Sequence, residues 1–243
     1  MILLFTDFGL EGPYTGQVKA VLWREAPGVP VFDLFADAPM QRPQEAAYLL
    51  AAYAAGLPTG TVFLCVIDPG VGTDRPAEAL HIDGRWFVGP GNGLFEPLIR
   101  RGRTTDAFVI PIATSASASF HGRDVFAPVA GRLAAGKTPH RAGITASAAV
   151  RRLDWPDDLP RIVYIDRYGN AMTGLRAERV ADHAKLILGG RPIVHARTFG
   201  AVPEGSAFWY ANSNGLVEVA VNRGRADALP GVALGAMIDV AGL

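Results

Sequence analysis

Val66-Ile67-Asp68-Pro69-Gly70-Val71-Gly72-Thr73-Asp74-Arg75 is the stretch that decides the fold of the first half of this chain. The residues before it, 61–66, form an apolar run with three β-branched members, which is typical of a strand buried on both faces. Pro69 cannot continue a central strand, and the glycines allow the backbone to turn back sharply. Open α/β sheets bind ligands at the carboxyl ends of their strands. The loop therefore predicts a functional site, and its reversal would bring Asp68 and Arg75 together.

The segments around this strand alternate between strand and helix patterns. Strands are expected at residues 2–6, 29–35, 61–66 and 107–112, and helices at 14–26, 43–55, 94–101 and 125–135. Asp83-Gly84 is a strong hairpin signal between the apolar runs 79–82 and 86–88. Asp124 is expected to cap the helix that follows it. This order predicts an α/β N-terminal domain over residues 1–150, with a mainly parallel sheet covered by helices.

The pattern changes after a weakly periodic stretch, residues 137–160, that contains three prolines and marks a domain boundary. The segments that follow are short strand candidates, with glycine-containing turns after two of them. They lie at residues 161–165, 186–188, 191–194, 207–210, 216–221 and 237–240. These features predict a smaller all-β, barrel-like C-terminal domain over residues 160–243.

Composition excludes several classes of partner. The 23 basic and 23 acidic residues balance, and no long basic run occurs, so neither nucleic acid nor an anionic membrane is expected as the main partner. No stretch approaches the ~20 apolar residues of a membrane-spanning helix. The lone Cys65 lies in a predicted buried strand and cannot form an internal disulfide, which fits a reducing compartment. We therefore expect a soluble, cytoplasmic protein.

Each polar loop of the chain also has a plain structural interpretation. Asp7 after the first strand is suited to the two hydroxyls of a sugar, although taken alone it fits a helix cap or a turn better. Asp68 and Arg75 can form an ordinary ion pair, worth roughly 0–1 kcal/mol at a surface. His121 is either a turn residue or a proton-transfer group. Asp166 with Asn170 fits a simple turn between strands. Nucleotide-binding glycine loops, a serine elbow and zinc-ligand spacings are absent from the sequence.

Six motifs nevertheless occur together over nearly the whole chain. They are Thr6-Asp7-Phe8-Gly9 with Tyr14, Gly16 and Lys19; Asp68-Pro69-Gly70-Val71-Gly72-Thr73 with Arg75; Gly89-Pro90 with Asn92-Gly93-Leu94; Phe120-His121-Gly122-Arg123-Asp124; Ile165-Asp166-Arg167-Tyr168-Gly169-Asn170; and Asn212-Ser213 with Gly215. In this order they resemble the S-adenosyl-L-methionine (SAM) hydrolases, or SAM hydroxide adenosyltransferases, which are relatives of the fluorinase and chlorinase enzymes. Gly12 and Gly91 depart from the family pattern, which usually has an aspartate at the first position and an aspartate or asparagine at the second.

The resemblance implies a homotrimer, with active sites between the N-terminal domain of one subunit and the C-terminal domain of the next. It implies that Asp7 holds the ribose hydroxyls and that Asp68, Arg75 and His121 handle water. The methionine end would be held by Asp166, Asn170 and Ser213. Further substrate contacts are expected from Phe8, Tyr14, Asn92 and Tyr168. SAM is expected as substrate, without a metal or another cofactor.

The implied reaction is attack of water on the C5′ carbon of SAM, in line with the departing sulfur, to give adenosine and L-methionine. The leaving thioether is neutral and needs no acid, whereas the water must lose a proton as it attacks. Asp68 and His121 are both suited to accept that proton, and Arg75 to orient the water. The sequence leaves the choice of base open.

Three alternatives stay open from the sequence. A halide-using transferase would make 5′-halo-adenosine, although a halide needs a dry pocket of donors and no base. A non-catalytic adenosyl-ligand binding module would use Asp7, Asp166, Asn170 and Ser213 equally well, but would give Asp68, Arg75 and His121 no joint purpose. An unrelated nucleotide-binding α/β protein is supported by the fold alone.

Overall fold

The structure, a computed structural model, describes residues 1–241. The chain divides into two compact units, Met1–Ala47 with Leu57–Asp154 and Tyr48–Gly56 with Trp155–Leu243. Each unit is built on one seven-stranded sheet. The expectation of two sheet-based units is therefore confirmed, whereas the division of roles between residues 1–150 and 160–243 stays a prediction.

The first six strands of the first unit follow the predicted order, whereas the seventh lies in the stretch 137–160, where no strand was predicted. They are β1 (Ile2–Thr6), β2 (Val31–Phe35), β3 (Val62–Val66), β4 (Ala77–Ile82), β5 (Arg85–Pro90), β6 (Thr105–Val109) and β7 (Thr145–Ala146). The helices before residue 155 are α1 (Tyr14–Glu25), α2 (Pro43–Ala54), α3 (Glu96–Arg101), a π-helical turn (Gly122–Phe126), α4 (Ala127–Ala134) and α5 (Pro139–Ala142).

The first sheet is mixed, not mainly parallel as expected. Its strand order is β2-β1-β3-β5-β4-β6-β7. The pairs β1–β2, β1–β3 and β3–β5 are parallel, whereas β4–β5, β4–β6 and β6–β7 are antiparallel. The change of direction occurs at the hairpin: Asp83 and Gly84 have φ angles of 46° and 78°, as a tight reversal between twisted strands requires.

The core of the first unit fixes where its polar loops begin. β1 and β3 are buried along their whole length, and Val18 and Leu22 of α1 belong to the same apolar cluster. β1 and β3 pair in register up to Thr6 and Val66. The chain therefore leaves both strands at the same edge, and the loops that carry Asp7 and Asp68 begin side by side.

The predicted helix cap at Asp124 is wrong. Asp124 lies inside the π-helical turn that precedes α4, and its Oδ2 accepts a hydrogen bond of 2.9 Å from the Ser117 backbone N–H. Arg123 also donates to both oxygens of this carboxylate. Asp124 thus fastens the preceding loop, which leads to His121, and leaves the α4 amide groups uncapped by its side chain.

The second unit is largely antiparallel. Its strands are β8 (Leu159–Ile165), β9 (Ala171–Arg176), β10 (Lys185–Leu188), β11 (Arg191–His195), β12 (Ala207–Ala211), β13 (Leu216–Val221) and β14 (Asp239–Ala241). They form the order β14-β10-β11-β12-β13-β9-β8, in which β11–β12 is a parallel pair. Backbone bonds from Gly235 to Ile162 and from Ile238 to Pro160 also join the segment before β14 to β8.

The strand β9 was not predicted from the sequence. Its first five residues are all buried, so the strand has no alternation of apolar and polar positions. It also contains Gly174, which ordinarily weakens a strand. The glycine is needed here because a Cβ at this position would lie 2.8 Å from the Leu159 carbonyl oxygen.

Candidate active site

A cavity of about 160 Å³ lies in the first unit where the loops after β1 and β3 meet the start of the π-helical turn. Its lining brings together four of the predicted site residues, Asp7, Phe8, Asp68 and His121. Gln41, Val66, Val71, Ser119, Phe120 and Gly122 complete the wall. The pairing of β1 with β3 produces this arrangement, because it delivers both acidic loops to one edge of the sheet.

Arg75 joins Asp68 to His121. Its Nε donates to Asp68 Oδ1 at 2.8 Å, and its Nη2 donates to Asp68 Oδ2. The same Nη2 lies 2.8 Å from His121 Nδ1. The side chains of Arg75 and Asp68 are 9% and 5% exposed, and His121 is 4% exposed. The three predicted water-handling residues therefore form one buried, connected set.

The loop after β3 reaches this geometry by folding back on itself. Thr73 Oγ1 donates to the Gly70 carbonyl oxygen at 2.7 Å, which closes the turn. Gly72 has a φ angle of 79°, and a Cβ there would lie 2.5 Å from the Ala118 carbonyl oxygen. Only glycine meets both conditions without displacing the neighbouring loop. The guanidinium of Arg75 is further held over the Phe126 ring, 5.1 Å from its centroid.

The contact with Arg75 determines which ring nitrogen of His121 carries the proton. A guanidinium has five donors and no acceptor, so His121 Nδ1 must accept. Burial, followed by the charge of Arg75, lowers the pKa of His121, while Asp68 and Asp124 act in the opposite direction. The imidazole is therefore neutral, with its proton on Nε2. In this state His121 offers a donor, and no free lone pair, to a molecule in the cavity.

Asp7 is positioned by backbone groups on both sides. Its N–H donates to the Val66 carbonyl at 3.4 Å, and its Oδ2 accepts from the Gln41 N–H at 2.9 Å. Burial raises the pKa of Asp7, and the Gln41 hydrogen bond partly offsets that rise. The other carboxylate oxygen stays available for a ligand hydroxyl.

Tyr14 and Asn92 do not line this cavity. Tyr14 packs edge-on against Phe120, with 5.3 Å between ring centroids, and also contacts Phe8. Asn92 Nδ2 donates to the Ile67 carbonyl at 2.9 Å, and its Oδ1 accepts from the Leu94 N–H at 3.2 Å. Asn92 therefore braces the end of β3, and the substrate contact expected of it stays a prediction.

The two departures from the family pattern have different physical settings. A Cβ at Gly91 would lie 2.9 Å from the Val150 side chain and 3.2 Å from the Pro76 carbonyl oxygen, so a larger residue does not fit there. Gly12 has a φ angle of 92° and open space around it. Neither position touches the set formed by Asp68, Arg75 and His121.

A second cavity, of about 740 Å³, lies in the second unit. It is lined by the four residues predicted there, Asp166, Tyr168, Asn170 and Ser213. The Asp166 carboxylate accepts from the Asn170 backbone N–H at 2.9 Å and from its side-chain amide at 3.1 Å. Tyr168 is 77% exposed and stands at the rim. The turn between β8 and β9 thus presents these polar groups to one space.

Several residues of this second cavity, among them Tyr53, Tyr210 and Glu218, were not predicted from the sequence. Asn212, which also lines it, belongs to the last of the six motifs. Glu218 is buried at 3% exposure and accepts hydrogen bonds from Tyr210 and Asn212. One signal was present in the sequence: Val217-Glu218-Val219 places a charge inside an apolar strand, which is typical of a paired or functional carboxylate.

Two kinds of feature are absent from residues 1–241. Within that range, no helix is long and apolar enough to span a membrane. The same residues contain no group of three or more His, Cys, Asp or Glu side chains placed to bind a metal ion. The expected absence of a metal and the expected cytoplasmic location both stay predictions.

Two family models match the chain in the order of its two halves. The SAM hydroxide adenosyltransferase N-terminal domain matches residues 2–143, and the C-terminal domain of the same family matches residues 160–239. A solved structure of an uncharacterized conserved protein from Thermotoga maritima has a TM-score of 0.88 and 28% identity, with both chains covered completely. A conserved hypothetical protein from Thermus thermophilus has a TM-score of 0.79 and 40% identity over 98% of each chain.

Curated relatives agree with these models. A protein of Thermus thermophilus named (R)-S-adenosyl-L-methionine hydrolase is 42% identical, over 93% of this chain and 93% of its own length. A Salinispora arenicola protein of the same name is 38% identical, over 97% of this chain and 95% of its own length. The chain belongs to the SAM hydroxide adenosyltransferase family.

Proposed function

We propose that this protein hydrolyses SAM to adenosine and L-methionine. The observation that carries the proposal is that Asp68 and His121 line one cavity together with Asp7, and that the buried Arg75 joins Asp68 to His121. A carboxylate and an N–H donor on one wall suit the activation of water beside a nucleoside. The names of the curated relatives support the same reaction and the (R) configuration of the sulfonium substrate.

In this mechanism Asp68 is the base and His121 orients the water. Each Asp68 oxygen accepts one hydrogen bond from Arg75 and keeps a further lone pair. His121 Nδ1 is occupied by Arg75, and its Nε2 carries the proton, so the imidazole donates to the water oxygen. As the new C5′–O bond forms, the C5′–S bond breaks with its electrons moving to sulfur, and the water proton passes to Asp68.

The remaining predicted residues would bind the substrate. Asp7 would accept hydrogen bonds from the two ribose hydroxyls through the oxygen that Gln41 leaves free. Phe8 would provide an apolar wall beside the nucleoside, Tyr14 would support Phe8 through their ring contact, and Asn92 would keep the neighbouring loop in place. In the second cavity, Asp166, Asn170 and Ser213 would hold the methionine end, with Tyr168 at its rim.

Finer features of the molecule also belong to this proposal. We infer a homotrimer in which a second cavity from a neighbouring subunit completes each active site, and a cytoplasmic location. The bonds from Gly235 and Ile238 to β8 support a barrel-like second sheet, since they link the segment before β14 to the opposite edge. SAM is the expected partner, without a metal or another cofactor.

The test is to incubate the purified protein with SAM in chloride-free and in chloride-rich buffer. Adenosine and L-methionine should form in equal amounts in both buffers, because the mechanism uses water in each. Formation of 5′-chloroadenosine as the main product would instead identify a halide-using transferase. Tight binding of SAM without any product would identify a binding module.

A further inference from the structure

We infer that Glu218, Tyr210 and Asn212 form an acceptor subsite in the second cavity that recognises an amino group of the substrate and so contributes to specificity. The three residues are called the acceptor subsite below. This inference rests on the proposed function and deepens it, because it assigns a recognition role to Glu218 and Tyr210, which were not predicted, together with Asn212 of the last motif. Its basis is a buried carboxylate on the wall of a cavity, with its hydrogen bonds oriented so that only lone pairs face a ligand.

The sheet places the acceptor subsite. Glu218 of β13 and Tyr210 of β12 are directly opposite each other in an antiparallel pair. The Tyr210 hydroxyl donates to Glu218 Oε1 at 2.6 Å, and Asn212 Nδ2 donates to Oε2 at 2.8 Å. All three side chains line the cavity. The carboxylate is therefore held rigidly in one orientation from both sides.

The direction of each hydrogen bond follows from Asn212. Its Oδ1 accepts from the backbone N–H groups of Asn214 and Leu216, both at 3.0 Å, so its Nδ2 must be the donor to Glu218. Tyr210 uses its single proton on the other carboxylate oxygen. The carboxylate oxygens and the phenol oxygen therefore keep only lone pairs, and an entering group must supply N–H or O–H donors.

The charges around the acceptor subsite favour an amino group as that donor. Glu218 has hydrogen bonds to Tyr210 and Asn212, and no salt bridge to it occurs among residues 1–241. The two nearby arginines are engaged elsewhere, Arg223 with Glu204 and Arg225 with Asp227. Burial raises the pKa of Glu218, the hydrogen bonds from Tyr210 and Asn212 oppose that rise, and the charge of Asp166 adds to it. Two carboxylates thus face the same space without a basic partner on Glu218.

SAM carries two amino groups, the α-ammonium of its methionine part and the exocyclic amine of its adenine. Both offer N–H donors to the acceptor subsite. A purely structural role is the alternative, in which the Tyr210–Glu218 pair only braces β12 against β13. Such a brace predicts lower stability on substitution, but no change in the discrimination between ligands that differ by an amino group.

The experiment uses the full-length protein and the variant Glu218→Gln. Glutamine would direct its carbonyl oxygen to Asn212 and its amide N–H₂ to Tyr210, which replaces an acceptor by a donor. We expect the KM for SAM to rise at least tenfold, with a smaller change in kcat, because a charge-assisted hydrogen bond is lost. Glu178→Gln, an exposed substitution in the same unit, is the matched control and should leave both constants unchanged.

Inhibition by three probes identifies the amino group. L-Methionine carries the ammonium alone, adenosine carries the exocyclic amine, and inosine lacks it. If Glu218→Gln weakens inhibition by L-methionine tenfold or more and leaves inhibition by both nucleosides unchanged, the acceptor subsite binds the ammonium. If it weakens inhibition by adenosine to the level seen with inosine, the acceptor subsite binds the exocyclic amine. Tyr210→Phe, which keeps the ring but removes the hydroxyl, should weaken inhibition by the same probe by a smaller factor.

Several outcomes would overturn the inference. One is a Glu218→Gln protein with wild-type KM and wild-type inhibition by all three probes. Another is an equal weakening of inhibition by all three probes, inosine included, together with a lower melting temperature, which a purely structural brace predicts. A wild-type protein that neither distinguishes adenosine from inosine nor binds L-methionine would also contradict it. Failure of the proposed function is distinct, since the wild-type protein would then produce no adenosine.

Discussion

Arg75 is the residue that gives the candidate active site its internal order. Its guanidinium occupies both oxygens of Asp68 and the Nδ1 of His121, and it is buried together with them. Such a bidentate, planar contact fixes the geometry more strictly than a lysine would. In the proposed mechanism this contact separates the two roles: Asp68 accepts the water proton and His121 donates a hydrogen bond to the water. The sequence named both residues but did not distinguish their roles.

Asp68→Asn should nearly abolish turnover while it preserves SAM binding. The amide has similar size but cannot take the water proton, and removal of a general base typically costs about 10²- to 10⁴-fold in rate. The measurement is kcat for adenosine formation together with the Kd for SAM by calorimetry. Asp74→Asn, six residues along the same loop and exposed, is the control that should stay at wild-type rate. A variant that keeps its turnover would remove Asp68 from the mechanism.

His121→Gln should be at least about tenfold more active than His121→Ala, as expected for one retained hydrogen bond to a charged partner. The glutamine carbonyl can accept from Arg75 while its N–H₂ donates into the cavity, which reproduces the neutral Nε2–H imidazole. Alanine supplies neither group. The measurement is kcat/KM for both variants at pH 8. If kcat/KM falls equally and by a large factor in both variants, the imidazole is the base.

At the scale of elements, a buried carboxylate stands between β4 and the segment that follows β7. Glu78 is 3% exposed, and its Oε2 accepts from the Val150 N–H at 3.1 Å. Within residues 1–241 its Oε1 has no hydrogen-bond partner. Burial raises the pKa of Glu78 to about 7, and the Val150 bond opposes this rise. Between about pH 4.5 and pH 7, the folded unit therefore retains a proton on Glu78 that the unfolded chain has released.

Stability should consequently fall as the pH rises from about 4.5 to 7. In that range the folded state binds more protons at Glu78 than the unfolded state does, so the free energy of unfolding decreases with pH. Glu78→Gln keeps the acceptor for Val150 and removes the titration. We expect it to match the wild type at pH 4 and to exceed it at pH 8 by at most about 3 kcal/mol, at about 1.4 kcal/mol per pKa unit.

Urea unfolding at pH 4, 6 and 8 measures this difference. Glu11→Gln, an exposed change in the same unit, serves as control and should follow the wild-type curve at each pH. A Glu78→Gln protein that is less stable than the wild type at pH 8 would show that folding does not disfavour the ionised form of Glu78.

At the scale of the whole molecule, the proposed site residues fall into two groups on separate units. The water-handling set and Asp7 belong to the first unit, and the residues expected to hold the methionine end belong to the second. A homotrimer whose sites combine the first unit of one subunit with the second unit of the next would use both groups. Inactivating substitutions in the two units would then complement each other.

Co-expression of Asp68→Asn and Asp166→Ala chains should therefore restore activity that neither chain has alone. In randomly mixed rings, about a quarter of the sites combine an intact first unit with an intact second unit, so about a quarter of the wild-type rate is expected. Light scattering on the same samples checks the trimeric mass. Activity equal to the sum of the separate variants would show that each chain builds its site alone.

Local patterns in the sequence determined most of the secondary structure and the list of polar loops. The buried run before Asp68, the alternation of strands with helices and the Asp83-Gly84 hairpin all depend on neighbouring residues, and each appears in the structure. The motifs also identified the family. Such features can be predicted because the spacing of apolar residues and the residue preferences of tight turns depend only on a few neighbouring positions.

Contacts between distant residues decided the rest. The mixed sheet, the buried strand β9 and the bracing role of Asn92 depend on which strands become neighbours. The tautomer of His121 depends on a guanidinium 46 positions away. Glu218 reaches the cavity wall because β12 pairs with β13 in one register. Burial and hydrogen-bond direction are properties of these packed arrangements, and no local pattern contains them.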